Sequence, residues 1–281
     1  MKKLDRLGWA EGLAFSAFGV RVGVRVNVPG VLPRLLPLLP PGWQKSRTLV
    51  SQRLYSLIVA EGSERAGLRR VHMIYADTVR LARDANLDLV LEAFEADLHL
   101  HTAEASPDMT FLHAGVVGWQ GRAILVPGRS FSGKTTLVRE MLRLGATYYS
   151  DEFAVIDNLG LVHLFARPLG IREGDSGAQT KYTAERLSAT TGVGPLPVGI
   201  VVISEYQKGT QWRPDPLSRG QGALELLANS VAVRTQPQKT LMRIHQIARQ
   251  AVFLRGTRGE ARDAASCILR FCSEPQRSEV A

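Results

Sequence analysis

The chain has 281 residues, of which 45% are hydrophobic and 22% are charged, so it can bury a full core as one large domain or as two smaller ones. No apolar run approaches the ~18 residues of a membrane-spanning helix, and the basic start has no continuous apolar segment and no cleavage site, so we expect no membrane association and no signal peptide. The net charge of +9 comes from scattered residues without interleaved aromatics, and we therefore predict no nucleic-acid partner.

The N-terminal part of the chain has the patterns of strands followed by a helix. Apolar and polar residues alternate over residues 18–28, as in half-buried strands, and the prolines of residues 31–41 favour a turn or one short helix. Further strands are predicted at 54–60 and 70–75, and a helix at 87–102. We place a domain boundary at residues 104–108, so that residues 1–106 form an α+β region that either recognises a substrate or supports the rest of the chain.

Residues 128–135 form a complete phosphate-binding loop of the pattern G-x-x-x-x-G-K-[ST]. The loop consists of Gly128, Arg129, Ser130, Phe131, Ser132, Gly133, Lys134 and Thr135, and Thr136 follows it. A buried strand is predicted before the loop at residues 122–127 and an amphipathic helix after it at residues 135–144, which is the arrangement that the motif requires. The alternative is a glycine-rich turn that binds nothing.

The spacing of these residues suits one chemical task, the binding of a nucleotide's phosphates. The glycines allow successive backbone N–H groups to face phosphate oxygens, Lys134 reaches the β- and γ-phosphates, and the Thr135 hydroxyl can ligate the Mg²⁺ that bridges them. We therefore predict that residues 128–136 bind ATP or another polyphosphate together with Mg²⁺.

The remaining sequence predicts strands and helices around this loop. The predicted elements are a hairpin of residues 110–117 and 121–126, a strand at 147–150, a hairpin of residues 153–157 and 161–165, a strand at 198–204, helices at 221–230 and 240–249, a strand at 251–255, a helix at 259–271 and a disordered tail at 273–281. Cys267 and Cys272 lie on different faces of the last helix, so we expect no disulfide, no metal pair and a cytoplasmic protein.

Two polar loops are candidates for ligand contacts. Residues 170–179 are rich in glycine and polar side chains and form either a lid over the phosphates or an ordinary surface loop. The loop of residues 205–219, with Lys208, Trp212 and Arg213, either contacts the adenine or the substrate or has no ligand role.

Three polar residues lie at fixed distances from the phosphate-binding loop. His113 precedes Gly128 by 15 residues, and Asp151 and Glu152 follow Lys134 by 17 and 18 residues. An ionised carboxylate beside the γ-phosphate can accept the proton of an attacking hydroxyl, and adjacent residues at a strand end point to opposite sides. One residue of this acidic pair can therefore face the γ-phosphate, and the other can contact Mg²⁺ or His113. The structural alternative is that the acidic pair caps a strand and that the histidine only packs.

This layout resembles the catalytic domain of the HPr kinase/phosphorylase family, whose nucleotide-binding core is related to that of phosphoenolpyruvate carboxykinase. In that family a His-Gly pair opens a hairpin ahead of the loop and an Ala-Asp-Asp triplet follows it at the same distances. The corresponding residues here are His113-Ala-Gly115 and Ser150-Asp151-Glu152, and the resemblance covers roughly residues 110–169. It implies an α/β fold with a P-loop core of this type at residues 107–272, beside the smaller N-terminal α+β region.

The resemblance also implies a role for each matched residue. Lys134 holds the β- and γ-phosphates, Thr135 ligates Mg²⁺, and Asp151 accepts the proton of the substrate hydroxyl. Glu152 replaces a second aspartate, and we assign it to Mg²⁺ or to His113. His113 is hydrogen-bonded to the acidic pair. The implied reaction transfers the γ-phosphoryl group of ATP to a serine-like hydroxyl, and the implied assembly is a homo-oligomer.

The sequence departs from the family at two points. The HPr-modifying enzymes carry a Glu-Ile-Arg-Gly segment whose glutamate helps to bind Mg²⁺, but residues 167–173 have no glutamate at the matching place, and Arg172 or Glu173 would have to replace it from nearby. The C-terminal motif of the phosphorylase activity is also absent. We therefore expect a peptide or small protein other than HPr as the acceptor, and no reversal by inorganic phosphate. The alternatives are a small-molecule kinase and a nucleotide-binding regulatory module without phosphoryl transfer.

Overall fold

The structure is a computed structural model that describes residues 4–48, 50–60, 70–128, 132–172 and 179–273. The chain divides into two compact units, Met1–Asp108 and Met109–Ala281, and this division falls beside the boundary predicted at residues 104–108. Sheets and helices occur in both units, so the protein is of mixed α/β type. Among the described residues, no helix is both long enough and apolar enough to cross a membrane.

The first unit is a six-stranded sheet with one long helix. Its elements are β1 (Glu11–Ala17), β2 (Val20–Val26), β3 (Gln44–Lys45), β4 (Arg53–Ile58), β5 (His72–Ala76), β6 (Val79–Asp84) and α1 (Leu87–Ala105), and the strand order is β3-β1-β2-β4-β5-β6. Tyr55 of β4 and Phe94 of α1 meet edge to face, with ring centroids 5.0 Å apart, in the core between sheet and helix. The proline-rich segment forms two short 3₁₀ turns, Leu32–Arg34 and Leu36–Leu38, because its prolines prevent a longer helix.

Three strands of the first sheet are absent from the sequence-based prediction, namely β1, β6 and the two-residue strand β3. Strand β1 contains glycine, alanine and serine, which have weak β-propensity, and β6 is an edge strand that carries charged residues. Strands β1 and β6 each pair with a neighbour across a tight turn, in which Phe18 and Asp77 adopt positive φ values of 49° and 52°. Pairing with the neighbouring strand, rather than the local pattern, therefore stabilises both strands.

The second unit contains the phosphate-binding segment and a larger sheet. Its elements are β7 (Thr110–Trp119), β8 (Arg122–Pro127), α2 (Lys134–Arg143), β9 (Thr147–Ser150), β10 (Phe153–Ile156), β11 (Leu161–His163), β12 (Leu169–Arg172), β13 (Gln179–Tyr182), β14 (Leu196–Tyr206), β15 (Asp215–Pro216), α3 (Arg219–Ala228), α4 (Pro237–Gln250), β16 (Val252–Arg258) and α5 (Ala261–Ser273). Both predicted hairpins are present, as the pairs β7–β8 and β10–β11. Residues 274–281 of the predicted disordered tail lie outside the described residues.

The order of the large sheet is β11-β10-β7-β8-β14-β16-β15, and β9 also pairs with β7. Strand β14 runs parallel to both β8 and β16, so the carboxyl ends of these three strands lie at one edge. Open α/β sheets bind their ligands at such an edge. The phosphate-binding loop leaves the sheet there, directly after β8.

Helices cover both faces of this sheet. Ile124 and Val126 of β8 pack in one core with residues of α2 and α5, whereas Ala123 and Leu125 pack in a second core with residues of α3 and α4. Successive side chains of a strand point to opposite faces, which explains why β8 is apolar without interruption. The strand before the loop is therefore held rigidly from both sides.

Gly115 in β7 determines how closely α2 packs against the sheet. A Cβ atom at this position would lie 2.6 Å from Cγ2 of the fully buried Val138 in α2. Only glycine leaves room for this approach of helix and strand. The close packing fixes the position of the first turn of α2, which carries Lys134 and Thr135.

We expect Gly115→Ala to destabilise the protein by about 1–3 kcal/mol, because the added methyl group must displace Val138 or the whole helix. Gly194→Ala is the matched control, since a Cβ there would have no neighbour within 4 Å, and its effect should stay within about 0.5 kcal/mol. Urea denaturation followed by circular dichroism measures both changes. The double variant with Val138→Ala should cost less than the sum of the single changes, and strict additivity would contradict the proposed contact.

Candidate functional site

The first turn of α2 begins directly after Gly133, within the described part of the loop motif. Gly133 precedes the helix in the left-handed conformation, with φ at 81°, and its carbonyl accepts a hydrogen bond of 3.1 Å from the Leu137 N–H. The N–H groups at such a helix start attract anions. Gly128 and residues 132–136 belong to the described structure, whereas the predicted binding residues Arg129, Ser130 and Phe131 lie outside it.

One side of this helix start faces the acidic turn between β9 and β10. The Thr135 hydroxyl donates a hydrogen bond of 3.3 Å to Oδ2 of Asp151. The Tyr148 hydroxyl lies 3.3 Å from Oδ1 of Asp151 and donates a shorter bond of 2.7 Å to the Arg167 carbonyl. The structure therefore brings together two of the residues predicted from the sequence, and adds Tyr148 as a buried support for the carboxylate.

Compared with water, the surroundings of Asp151 favour the neutral form of its carboxyl group. Burial raises the pKa of the Asp151 carboxyl to about 6, and the negative charge of Glu152 adds to this effect. The hydrogen bonds from Thr135 and Tyr148 and the charge of Arg167 act in the opposite direction. A carboxylate with such a pKa is still mostly ionised at neutral pH, and is a stronger base than an ordinary aspartate.

Lys134 stands close enough to Asp151 for their charges to interact. Burial lowers the pKa of the Lys134 ammonium group, and the Asp151 carboxylate partly offsets this effect. Partial burial strengthens the attraction between these two opposite charges, because electrostatic interactions are stronger away from water.

Glu152 is oriented differently from Asp151. Its Oε2 atom accepts a bond of 2.8 Å from Nη1 of Arg167, with the glutamate side chain 38% exposed and the arginine 16% exposed. The adjacent acidic residues thus have separate partners, Thr135 and Arg167, as expected for neighbours at a strand end. Arg167 was noted in the sequence only as part of a segment that lacks the family's glutamate, and its ion pair follows from the fold rather than from any local pattern.

His113 reaches the same region through the pairing of β7 with β10. It lies opposite Phe153 in the ladder, the two rings are 5.0 Å apart, and the Ala114 N–H donates to the Glu152 carbonyl at 3.2 Å. Partial burial and the positive charge of Lys134 lower the pKa of His113, although Glu152 acts in the other direction. His113 is exposed to solvent and lies beside the acidic turn.

The other side of the helix start borders a cavity of about 840 Å³. Ser132, Gly133 and Thr136 line it from the loop and α2, and further lining comes from the ends of β14 and β16 and the start of α5. Tyr206 ends β14 and belongs to residues 205–219, which the sequence suggests as a ligand-contact loop. Arg258 ends β16, and its only signal in the sequence is this position at the carboxyl end of an apolar strand.

The sequence matches no model of a known protein family and no curated protein, so the site is interpreted from its own geometry. Across the described residues, no group of three or more histidine, cysteine, aspartate or glutamate side chains is suited to hold a metal by itself. A hydroxyl and a carboxylate oxygen do meet at Thr135 and Asp151, and such oxygens suit Mg²⁺ when substrate phosphates supply further ligands.

Because the pKa of Asp151 is raised, a substitution that removes the charge of this side chain should stabilise the protein, and the gain should depend on pH. The folded pKa of about 6 exceeds the value of 3.8 of an ordinary aspartate, so stability contributed by the protonated group is lost as the pH rises through this interval. Asp151→Asn should therefore raise the melting temperature by about 2–4 °C at pH 7.5, and by less at pH 5.

Asp157→Asn is the control for this experiment. Burial works to raise the pKa of Asp157, but hydrogen bonds from His163 and from the Leu161 and Leu159 N–H groups outweigh it and lower the pKa. Its ionised form thus stabilises the fold above the pKa of the unfolded chain, and Asp157→Asn should lower the melting temperature at pH 7.5. Equal melting temperatures of Asp151→Asn and wild type at both pH values would contradict the description of the acidic turn.

Proposed function

We propose that this protein is an ATP- and Mg²⁺-dependent kinase that transfers the γ-phosphoryl group to a serine-like hydroxyl of a peptide or small protein. The observation that carries the proposal is the 3.3 Å contact between the Thr135 hydroxyl and the Asp151 carboxylate. It joins the phosphate-binding helix start to a carboxylate whose raised pKa suits a general base. A turn that only caps a strand has no need of this arrangement.

In this reaction the acceptor oxygen forms a bond to the γ-phosphorus, and the bond from that phosphorus to the β,γ-bridging oxygen breaks, which releases ADP. Asp151 takes the proton of the acceptor hydroxyl, and Lys134 neutralises charge on the β- and γ-phosphates. Mg²⁺, when bound, would neutralise further phosphate charge, with Thr135 and Asp151 as the nearest protein oxygens. We assign His113, which lies beside the acidic turn, to a hydrogen bond with the acidic pair.

The proposed fold family is the P-loop core of the HPr kinase and phosphoenolpyruvate carboxykinase type. Its support is the order of features along the second unit: His113 in a hairpin, the loop after β8, and the acidic turn paired back to His113. A cytoplasmic location belongs to the same proposal, since the substrate is ATP and both cysteines are free thiols.

A nucleotide-binding regulatory module is the second candidate, and one observation favours it. The predicted metal ligand Glu152 shares its carboxylate with Arg167, so its use for Mg²⁺ requires that Arg167 gives up or shares the contact. A module that binds ATP without transferring phosphate would not need this exchange. The kinase and the module therefore differ in turnover, not in ATP binding.

Lys134→Ala should abolish measurable ATP binding in isothermal titration calorimetry, because it removes the half-buried ammonium group from the first turn of the helix. Arg249→Ala, which removes an exposed cation near the end of α4, should leave the ATP affinity unchanged. Wild-type ATP affinity in the Lys134 variant would remove the basis for the whole assignment.

Asp151→Asn should leave the ATP affinity within a few-fold of wild type and lower turnover by about 100-fold or more, since the amide cannot accept the hydroxyl proton. Turnover is measured as ADP release with pooled serine-containing peptides, and pools in which alanine replaces serine give the background. Glu152→Gln is the matched variant, and we expect a smaller loss because it leaves the base in place. Undiminished turnover of Asp151→Asn would make this residue structural.

A further inference from the structure

Arg258 at the end of β16 is a buried cation with incomplete partners. Its relative exposure is 3%, and it lies against the phosphate-binding segment, where Nη2 donates a bond of 3.1 Å to the Gly133 carbonyl. Nη1 donates a longer bond of 3.3 Å to the carbonyl of the adjacent Gly259. Nε is buried and has no hydrogen-bond partner among the described residues.

No carboxylate of the described residues forms an ion pair with this guanidinium. The ring centroid of Tyr206 lies 5.7 Å from Cζ. Burial lowers the pKa of Arg258, and Tyr206 and Glu260 offset this only in part. The arginine nevertheless stays charged at neutral pH, and a buried charge of this kind is stabilised when an anion binds beside it.

The cavity beside Arg258 has the size and position of a ligand site. Its volume of about 840 Å³ lies within the range of small-molecule pockets, and it opens at the edge where β8, β14 and β16 end. Tyr206 on its wall is 54% exposed, so its ring is accessible for stacking. The phosphate-binding segment forms the opposite wall through Ser132, Gly133 and Thr136.

We propose that Arg258 is a second cationic ligand of the nucleotide's phosphate chain, and that the cavity between α2, β14 and β16 holds the nucleoside. This inference rests on the proposed function and adds the direction in which the nucleotide lies. The γ-phosphate faces Thr135 and Asp151 on one side of the helix start, and the nucleoside lies beside Tyr206 on the other. Arg258 spans the two by its contact with Gly133 at the helix start.

The test measures the affinities of ATP and of inorganic tripolyphosphate by isothermal titration calorimetry. Arg258→Met should weaken both by about 10-fold or more, because a charge-assisted contact to phosphate is lost. Arg255→Met is the matched control on the same strand. Arg255 is exposed and paired with Glu225, away from the cavity lining, so its replacement should leave both affinities unchanged.

Tyr206→Ala separates the nucleoside site from the phosphate site. It should weaken ATP by several-fold and leave tripolyphosphate unchanged, since stacking acts on the base alone. If Arg258→Met melts below the assay temperature, Arg258→Lys replaces it, and should still weaken ATP by about 3-fold or more because the planar fork is lost.

The outcomes distinguish this inference from the proposed function. Failure of the wild type to bind both ATP and tripolyphosphate would overturn both. Wild-type affinities in Arg258→Met, or in Arg258→Lys where that variant replaces it, with binding still abolished by Lys134→Ala, would overturn this inference alone. An equal loss of ATP and tripolyphosphate binding in Tyr206→Ala would overturn the placement of the nucleoside.

Discussion

The hydrogen bond from the Thr135 hydroxyl to the Asp151 carboxylate is the contact on which the account of this protein depends. It requires that the first turn of α2 lies directly over the turn between β9 and β10. Gly115 makes this approach feasible, because a side chain there would collide with Val138. Strand β7 completes the arrangement, since it pairs with β8 on one side and with β9 and β10 on the other. The phosphate-binding loop and the acidic turn thus follow strands that flank β7 on its two sides.

The charges of the site follow from this geometry. Lys134 and Asp151 are partly withdrawn from water and act on each other, and the pair of Glu152 with Arg167 neutralises the second carboxylate. Withdrawal from water costs stability, and it also shifts the Asp151 pKa towards the value that suits proton transfer. Packing alone does not require this loss of stability beside the loop motif. We therefore interpret it as the consequence of a chemical role of the site.

The sequence predicts the loop and the elements that flank it better than the residues that contact them from distant segments. The phosphate-binding loop, its flanking strand and helix, and both hairpins are set by short-range patterns, namely glycine positions and apolar periodicity. Strands β1 and β6 depend on pairing with neighbours, and their own residues carry weak strand signals. Tyr148, Arg167, Tyr206 and Arg258 take part in the site through contacts between segments distant in sequence, which no local pattern encodes. The roles of Asp151 and His113 were predicted from their spacing and from the family resemblance. For Glu152 the prediction was Mg²⁺ or His113, whereas its carboxylate pairs with Arg167.

The most direct test of the central claim is the fate of the γ-phosphate. Purified protein is incubated with Mg²⁺, γ-labelled ATP and short serine-containing peptides, among them peptides and carrier proteins encoded beside its gene. The account predicts that label moves to one serine hydroxyl, and that no transfer occurs to the matching alanine peptide or with the Asp151→Asn variant. ATP that is bound tightly but keeps its label with every acceptor would contradict phosphoryl transfer and identify the site as a regulatory nucleotide site.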